Sequence, residues 1–273
     1  MAVTNGWGQG VENNTIDWGK GSTNNSNNWG SVYGSSAAGD TLLSAASFSN
    51  TRSLDFDGVD DFVKTDSTYS ELNGQTKVTF SFWIKPSASH FGEVFEIARN
   101  STNTNTQIRV FIDTSQKLRL QMNNTTLYLR SKNNGITLNA WNHIVFCIDS
   151  GGNRGKVFVN GIDDTFVQNI DTLGFDTSSS ELYIGESVNN YKPTFNGLID
   201  EFAIWSGADL RSDVSTLYNT GTPGDLNNNG LTAPTNWWRM GDNDGGSGTT
   251  LTDAAGSANG TLINSASYDT DVP

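Results

Sequence analysis

The sequence is poor in the residues that most often carry metal or nucleophilic chemistry. Its 273 residues include one cysteine, Cys147, and two histidines, His90 and His143. A lone cysteine excludes an internal disulfide and a cysteine-clustered zinc site, and two histidines leave little room for histidine-based catalysis. Cys147 stands between Phe146 and Ile148, so we predict a small core residue rather than a nucleophile.

Positive charge and long apolar runs are also scarce. The chain has 16 Lys+Arg against 29 Asp+Glu, a net charge of −13, which disfavours nucleic acid as a partner. No run of about 18 apolar residues is present, so no membrane-inserting segment is predicted. The start, MAVTNGWG, has no basic segment followed by an apolar one, so no ordinary secretory leader is expected.

Residues 1–47 form an arm rich in Gly, Asn, Ser and Thr, with Trp-Gly pairs at Trp7, Trp18 and Trp29, eleven residues apart. Such a composition disfavours both helix and strand. A disordered linker is one interpretation. The periodic tryptophans favour another, in which the arm docks onto another surface or subunit and each indole acts as an anchor.

From residue 48 the sequence changes to short apolar alternations separated by turn signals. Ten such stretches predict strands, together with a type I′ hairpin at Asn160-Gly161 and one helix over 208–218. This pattern is typical of an all-β sandwich or jelly roll. The predicted strands are 52–57, 77–85, 93–98, 107–112, 117–122, 126–130, 141–149, 155–160, 181–184 and 197–205.

The order of several motifs resembles a known family. They are LDFDGVDDFVKT, VTFSFWIKP, NAWNHIVFCIDSGGNRGKVFVNG, LYIGE and FNGLIDEFAIW, followed by a short helix ending STLYNTG. Together they resemble the laminin-G-like branch of the concanavalin A-like jelly rolls, over residues 48 to about 222. The resemblance implies two antiparallel sheets of about six or seven strands each.

The C-terminal segment 234–273 is too short for a core of its own. We therefore expect it to add a late strand to the same sandwich, making 48–273 one domain. The Trp-Gly arm and the WWRMGD…DVP ending also resemble structural proteins of tailed bacteriophages, particularly marine ones.

No catalytic site is predicted. The same fold hosts β-glucanases, whose active strand carries Glu-x-Asp-x-x-Glu or a near variant, and no such triplet is found. Glu93 and Glu96 in EVFE are three residues apart, which predicts opposite faces of a strand. His143 lies within a strand motif, where a structural role is expected.

Calcium is the one cofactor that the sequence suggests, since related jelly rolls often hold a structural calcium. Asp57, Asp60 and Asp61 lie in FDGVDD, and Asp200 in GLIDEF has the strand parity of inward-facing residues. Carboxylate oxygens are the ligands that Ca²⁺ prefers. The alternative is that these aspartates make ordinary turn and backbone hydrogen bonds.

Two functions remain in competition. The first is a virion structural protein, a capsid decoration, fibre or tail-associated protein on the virion surface, attached to other virion proteins through Trp7, Trp18 and Trp29 as a homo-oligomer such as a trimer. The second is a glycan-binding adhesin or lectin module that contacts host polysaccharide. Its candidate ligand residues are Tyr191 and Phe195, in the loop VNNYKPTF.

Overall fold

The computed structural model describes residues 48–87, 92–98, 106–122, 127–132, 135–149, 154–169, 177–186, 188 and 193–273. All of them belong to the unit Phe48–Pro273. The predicted docking residues Trp7, Trp18 and Trp29, and the predicted ligand residue Tyr191, lie outside the described residues. Their roles stay predictions.

The described residues form seventeen strands and one short α-helix. All ten predicted strands are present, with ends shifted by at most one residue. The strands are β1 (Ser53–Asp57), β2 (Phe62–Thr65), β3 (Lys77–Pro86), β4 (Gly92–Ala98), β5 (Thr106–Ile112), β6 (Leu118–Met122), β7 (Leu127–Ser131), β8 (Asn142–Asp149), β9 (Arg154–Val159), β10 (Ile162–Asp163), β11 (Thr165–Asn169), β12 (Glu181–Ile184), β13 (Asn196–Ser206), β14 (Asn236–Trp238), β15 (Thr250–Leu251), β16 (Gly260–Ile263) and β17 (Ser267–Asp269); the helix is α1 (Val214–Tyr218).

The strands make two antiparallel sheets. The eight-stranded sheet has the order β10-β9-β8-β3-β13-β1-β17, with β14 also paired to β13, and the nine-stranded sheet has the order β11-β7-β6-β5-β4-β12-β2-β16-β15. The predicted antiparallel β-sandwich is therefore confirmed. The Asn160-Gly161 turn is confirmed too, since both residues have positive φ and Ile162 pairs with Val159 across the two-residue loop.

The main core lies between the sheets and follows from the period-two alternation of the strands. In β3, Val78, Phe80, Phe82 and Ile84 all face it and are fully buried. Phe82 contacts three other core rings, and Phe95 of the opposite sheet is one of them at 5.9 Å between centroids. These aromatic contacts link the two sheets directly.

A second apolar cluster covers the outer face of the eight-stranded sheet. Trp205, Trp237 and Cys147 lie in it, together with Leu210, Val214 and Leu217 from α1 and the turns before it. Cys147 is fully buried, which confirms the predicted core residue, and this burial raises the pKa of its thiol to about 12. Burial likewise lowers the pKa of His143 to about 3, and its Nε2 lies 2.8 Å from Ser81 Oγ, as expected of a structural histidine.

The helix is shorter than the predicted span of 208–218 because turns occupy its first half. The Asp209 carboxylate accepts the Arg211 N–H at 3.2 Å, and the Asp213 N–H bonds to the Leu210 carbonyl at 2.9 Å. Leu210, Val214 and Leu217 still share one buried face. Among the described residues no helix has the length and apolar character needed to span a membrane.

The C-terminal segment enters both sheets. Strand β14 pairs with β13 and β17 with β1 in the eight-stranded sheet, and β16 pairs with β2 in the nine-stranded sheet. Trp238 of β14 packs in the main core beside Phe202, with 5.8 Å between their ring centroids. The segment therefore completes the sandwich at both layers.

Candidate functional site

The outer face of the nine-stranded sheet is polar and aromatic where the inner face is apolar. Alternation produces this difference, because each core residue in a strand is flanked by residues that point outward. The register sets one row of outward residues side by side across six strands. That row is Thr261, Lys64, Tyr183, Glu96, Arg109 and Gln121.

One end of this face carries an aromatic pair beside carboxylates. We call Asp60, Phe62, Lys64, Tyr183 and Glu186 the aromatic–acidic surface. The Phe62 and Tyr183 rings lie 6.0 Å apart at an angle of 37°, and Lys64 Nζ lies 5.9 Å from the Tyr183 ring centroid. Phe62 and Lys64 are partly exposed, whereas Tyr183 is only 6% exposed, so a ligand would reach this surface at Phe62 and Lys64 and not at the Tyr183 ring.

Glu181 fixes the polar groups of this surface. It accepts a hydrogen bond from the Tyr183 hydroxyl at 2.5 Å and forms an ion pair with Lys64 at 2.9 Å. Burial opposes the change, but these two partners lower the pKa of the Glu181 carboxyl below its ordinary value. Burial and then the hydrogen bond to Glu181 raise the pKa of the Tyr183 phenol, which stays a hydrogen-bond donor at neutral pH.

The acidic loop Asp57–Asp61 lies beside this surface, at the start of β2. A carboxylate oxygen from each of Asp57, Asp60 and Asp61 lies within 4.8 Å of the others. Asp61 is already committed to the backbone, because its two oxygens accept the N–H groups of Asp57 at 3.0 Å and Ser265 at 2.7 Å. Val59, at the tip of the loop, is 74% exposed.

These residues fit a calcium ion in part. Asp57 also accepts the Val59 N–H at 2.7 Å, in the manner of an Asx turn, so one of its oxygens is used. The Asp60 carboxylate accepts no hydrogen bond from a described residue. Asp57 and Asp60 are the two carboxylates that could hold the ion, and Ca²⁺ takes six to eight oxygens, so most ligands would come from elsewhere.

Glu186 adds a third carboxyl group near Asp60 and Glu96. Burial, followed by repulsion from Asp60 and Glu96, raises the pKa of its carboxyl to about 7. A partly buried carboxylate near two others is costly to ionise. A bound cation or a ligand hydroxyl at this point would reduce that cost.

The structure does not bring Asp200 to this loop, which corrects the predicted grouping of Asp200 with Asp57 and Asp60. Asp57 is opposite Asn196 in the β1–β13 pair, so Asp200 is four residues further along, about 13 Å at roughly 3.3 Å per residue. A bulge between Asp200 and Ala203 also shifts the strand parity on which the prediction depended.

Asp200 instead belongs to a buried polar cluster that contacts the segment before β1. It accepts a hydrogen bond from Asn50 at 2.8 Å, while neighbouring Glu201 bonds to the indole of Trp237 and to Arg239. Burial and then the Glu201 charge raise the pKa of the Asp200 carboxyl well above its ordinary value. Structural hydrogen bonds therefore account for this carboxylate.

Phe195 is also placed differently from the prediction. It is fully buried in the main core, and its ring meets that of Phe56 edge-on at 6.3 Å between centroids. The sequence suggests an exposed aromatic because Phe195 follows a polar loop, yet it directly precedes β13 and has entered the sandwich. A buried ring cannot contact a surface ligand, so Phe195 is not a ligand-binding residue of this structure.

Glu93 and Glu96 lie on the same side of β4, so the prediction of opposite faces is wrong. Both contact the guanidinium of Arg109, at 3.7 Å and 2.8 Å respectively. A bulge between Glu93 and Phe95 resets the alternation and brings both carboxylates to the outer face. Both are fully buried, and Glu96 also accepts the Val188 N–H at 2.9 Å.

Sequence reasoning missed Phe62, Lys64, Tyr183 and Glu186. The alternation in FVKT and ELYI indicates which of them face outward, but β2 has only four residues and was not predicted as a strand. The neighbours Lys64 and Tyr183 come from strands more than a hundred residues apart in the chain. That pairing is a property of the fold and has no local signal.

Comparison with known proteins gives the family. The family model described as the concanavalin A-like lectin/glucanases superfamily, of the laminin G type, matches residues 57–215. This is more than half of the chain, and the chain belongs to that family. The predicted concanavalin A-like jelly roll is therefore confirmed. No curated protein matches the chain.

Several solved structures share the fold at low identity. A candidate carbohydrate binding protein from Bacteroides ovatus has a TM-score of 0.60 at 16% identity, over 82% of this chain and 60% of that one. The carbohydrate-binding module CBM40 of a Ruminococcus gnavus sialidase, bound to sialyllactose, has a TM-score of 0.48 at 14% identity, over 61% of this chain and 95% of that one. A pentraxin from Limulus polyphemus has a TM-score of 0.48 at 18% identity, over 62% of this chain and 82% of that one. The first of these likenesses, with a TM-score above 0.5, supports the fold.

Proposed function

We propose that this protein binds glycans, with the aromatic–acidic surface as the contact region. The observation that carries the proposal is the cluster of Phe62 and Tyr183 beside Lys64, with Asp60 and Glu186 next to it on the outer face of the nine-stranded sheet. The description of the Bacteroides ovatus protein as carbohydrate binding points to the same class of ligand.

The chemistry of the surface suits a sugar. A pyranose ring has an apolar C–H face that packs on aromatic side chains and hydroxyl groups that need both donors and acceptors. Phe62 supplies a partly exposed ring, Lys64 supplies a donor, and Asp60 and Glu186 supply acceptors. Glu181 holds Lys64 and Tyr183 in place before a ligand arrives, which lowers the entropy lost on binding.

The same face is proposed to bind without catalysis. Glu93 and Glu96 are two carboxylates on this face that resemble the catalytic pair of a hydrolase in their spacing. Both are buried against Arg109. A glycosidase needs one carboxyl group that carries a proton and reaches the leaving oxygen. A carboxylate shielded from solvent and paired with a guanidinium is poorly suited to that task.

The test is affinity electrophoresis of the full chain in gels that contain a panel of polysaccharides. We expect at least one polymer to retard the protein, and Phe62→Ala to remove most of that retardation. Ile162→Ala is the matched control, because Ile162 is 72% exposed on β10 of the other sheet. No retardation by any polymer, or equal loss in both variants, would contradict the proposal.

A second candidate function is attachment to a virion through the arm. It is favoured by a single observation, the eleven-residue spacing of Trp7, Trp18 and Trp29. Three weak anchors on one tether bind much more strongly than one. Glycan binding and particle attachment involve different parts of the chain, so the two functions are compatible.

Deletion of residues 1–30 tests that second candidate. The truncated chain should melt as the full chain does and bind glycans equally well, yet fail to join particles. If the isolated protein instead loses several kcal/mol of stability, the arm is part of the folded domain and the anchor hypothesis is wrong.

A further inference from the structure

The far end of the same sheet face has the opposite charge character. There the outward residues of β5, β6 and β7 include Arg109, Arg119 and Arg130, although the chain as a whole has a net charge of −13. Arg109 is paired with Glu96 at 2.8 Å. Arg119 and Arg130 differ from it, because they are partly exposed.

Arg119 and Arg130 are directly opposite one another in the β6–β7 register. Residues in such a pair have Cβ atoms about 4.5–5.5 Å apart, and like charges there are destabilising. Arg119 is compensated by Asp113, which accepts from its Nε at 2.6 Å. No carboxylate of the described residues reaches Arg130, and its Nε is buried without a hydrogen-bond partner among them.

Phe166 holds the Arg130 guanidinium in place. The guanidinium carbon lies 4.7 Å from the Phe166 ring centroid, and the ring is 57% exposed. The β11–β7 register shifts between Thr165 and Val167, so Phe166 sits at a bulge. Bulges commonly redirect a side chain out of the regular alternation. Here the result is an exposed aromatic ring beside an arginine that has no carboxylate partner within the described ranges.

From these contacts we propose that Arg119, Arg130 and Phe166 form an arginine surface that binds an acidic sugar residue of the glycan. The inference rests on the proposed function and adds the class of ligand, a polysaccharide that bears carboxylate or sulfate groups. An arginine fork pairs with two oxygens of either anion. The exposed ring of Phe166 offers an apolar surface for the C–H face of the same sugar.

The two surfaces lie at opposite ends of the sheet face, with the buried Glu96 and Arg109 between them. Strands β2 and β7 are five strand spacings apart in the sheet order, about 24 Å at roughly 4.8 Å each. A short oligosaccharide segment covers such a distance. Of the neighbouring acidic groups at the β7 end, Asp113 pairs with Arg119 and compensates that arginine, whereas Asp163 pairs with Lys156 at 2.6 Å.

The experiment compares each acidic polymer with its uncharged parent. Polygalacturonate against fully methyl-esterified pectin tests the carboxylate, and dextran sulfate against dextran tests the sulfate. Binding is measured by isothermal titration calorimetry with the full chain, Arg130→Gln and Arg119→Gln. The matched control is Arg154→Gln, an exposed arginine on β9 of the other sheet.

We expect one acidic polymer to bind at least tenfold more tightly than its parent, and Arg130→Gln to reduce that preference by about tenfold. Arg119→Gln should have a smaller effect, because Asp113 already compensates Arg119. Arg154→Gln should change nothing. The polymer that shows the preference identifies the anion.

The failures of the two proposals are distinguishable. Equal binding of the acidic and neutral polymers, with no effect of Arg130→Gln, overturns the arginine surface and leaves glycan binding intact. Equal losses in Arg130→Gln and Arg154→Gln also overturn it, since the attraction is then one of overall charge. Loss of acidic binding in Arg130→Gln with none in Phe62→Ala supports the arginine surface and contradicts the aromatic–acidic surface. Absence of binding to all four polymers overturns the arginine surface.

Discussion

The outer faces of the two sheets contrast sharply, although both follow from the same alternation. On the eight-stranded sheet, Trp205 and Trp237 point outward and are covered by α1 and the chain around Leu226. On the nine-stranded sheet, outward residues such as Phe62 and Lys64 remain partly exposed beside charged groups. A face covered by the chain's own apolar residues stabilises the fold, whereas a polar face with exposed rings is available for a ligand.

The largest expected effect is on stability, from the covered face. Trp205 is buried, and its indole donates to the Thr232 carbonyl at 2.7 Å. We expect Trp205→Ala to lower the free energy of unfolding by about 3–5 kcal/mol, because it leaves a large cavity. Denaturant unfolding measures the loss. The glycan affinity of the remaining folded protein should be unchanged. A parallel loss of affinity would contradict the assignment of stability to one face and ligand binding to the other.

Calcium is expected to stabilise the protein through the Asp57–Asp61 loop only. If Asp57 and Asp60 hold Ca²⁺, a calcium concentration of about 100 times the dissociation constant adds about 2.7 kcal/mol to the stability. A chelator should then lower the melting temperature by several degrees, and Asp60→Asn should abolish the response. Asp200→Asn should keep it, because the structure places Asp200 elsewhere. An unchanged melting temperature, with no metal in the purified protein, would remove calcium from the account.

A smaller effect is expected from the pH dependence of the aromatic–acidic surface. Because the folded-state pKa of Glu186 is raised to about 7, the protonated form stabilises the fold, and this stability is lost as the pH rises from about 4.5 to 7. Glu186→Gln should therefore gain about 1 kcal/mol over the wild type at pH 8, after allowance for solvent exposure, and little at pH 4. Unfolding curves at both pH values measure the difference.

Glu201 provides the comparison within the same experiment. Its pKa is also raised to about 7, by burial, but it accepts hydrogen bonds from Trp237 and Arg239. Glu201→Gln should gain less stability at pH 8 than Glu186→Gln does, because a neutral amide loses the charge-assisted contact with the guanidinium. Equal behaviour of the two variants would mean that their surroundings do not differ as described.

The smallest expected effect is none at all. Incubation with polysaccharides, including any that bind, should release no reducing ends above buffer. Reproducible release that a single Asp or Glu substitution abolishes would overturn the proposal of a binding protein without catalysis, and Glu93 and Glu96 would be the first positions to substitute.

The fold was largely predictable because long strands carry their own signal. The alternation in KVTFSFWIK and the apolar run in NHIVFCID both indicate strands, and β3 and β8 are where they predict. Short strands such as β2 and β15 have too few residues to show a period. Bulges also escape prediction, and the one in β4 brought Glu93 and Glu96 to the same face.

The candidate site was less predictable, since it depends on pairing between distant strands. Alternation in KLRLQM and TLYLR indicates that Arg119 and Arg130 face outward, but their opposition follows only from the β6–β7 register. Phe195 shows the opposite error: its neighbours in the sequence suggest an exposed loop, but the fold buries its ring. Sequence therefore indicates which residues face outward more readily than which of them meet.

The central claim is that the aromatic–acidic surface of the nine-stranded sheet binds glycan. The most direct measurement is the affinity of Phe62→Ala, Tyr183→Phe and Ile162→Ala for the best polysaccharide in the panel, each checked for an unchanged melting temperature. The account predicts that Phe62→Ala loses most of the affinity, that Tyr183→Phe loses less, and that Ile162→Ala loses none. Undiminished binding by Phe62→Ala, or loss of binding in Ile162→Ala alone, would contradict it.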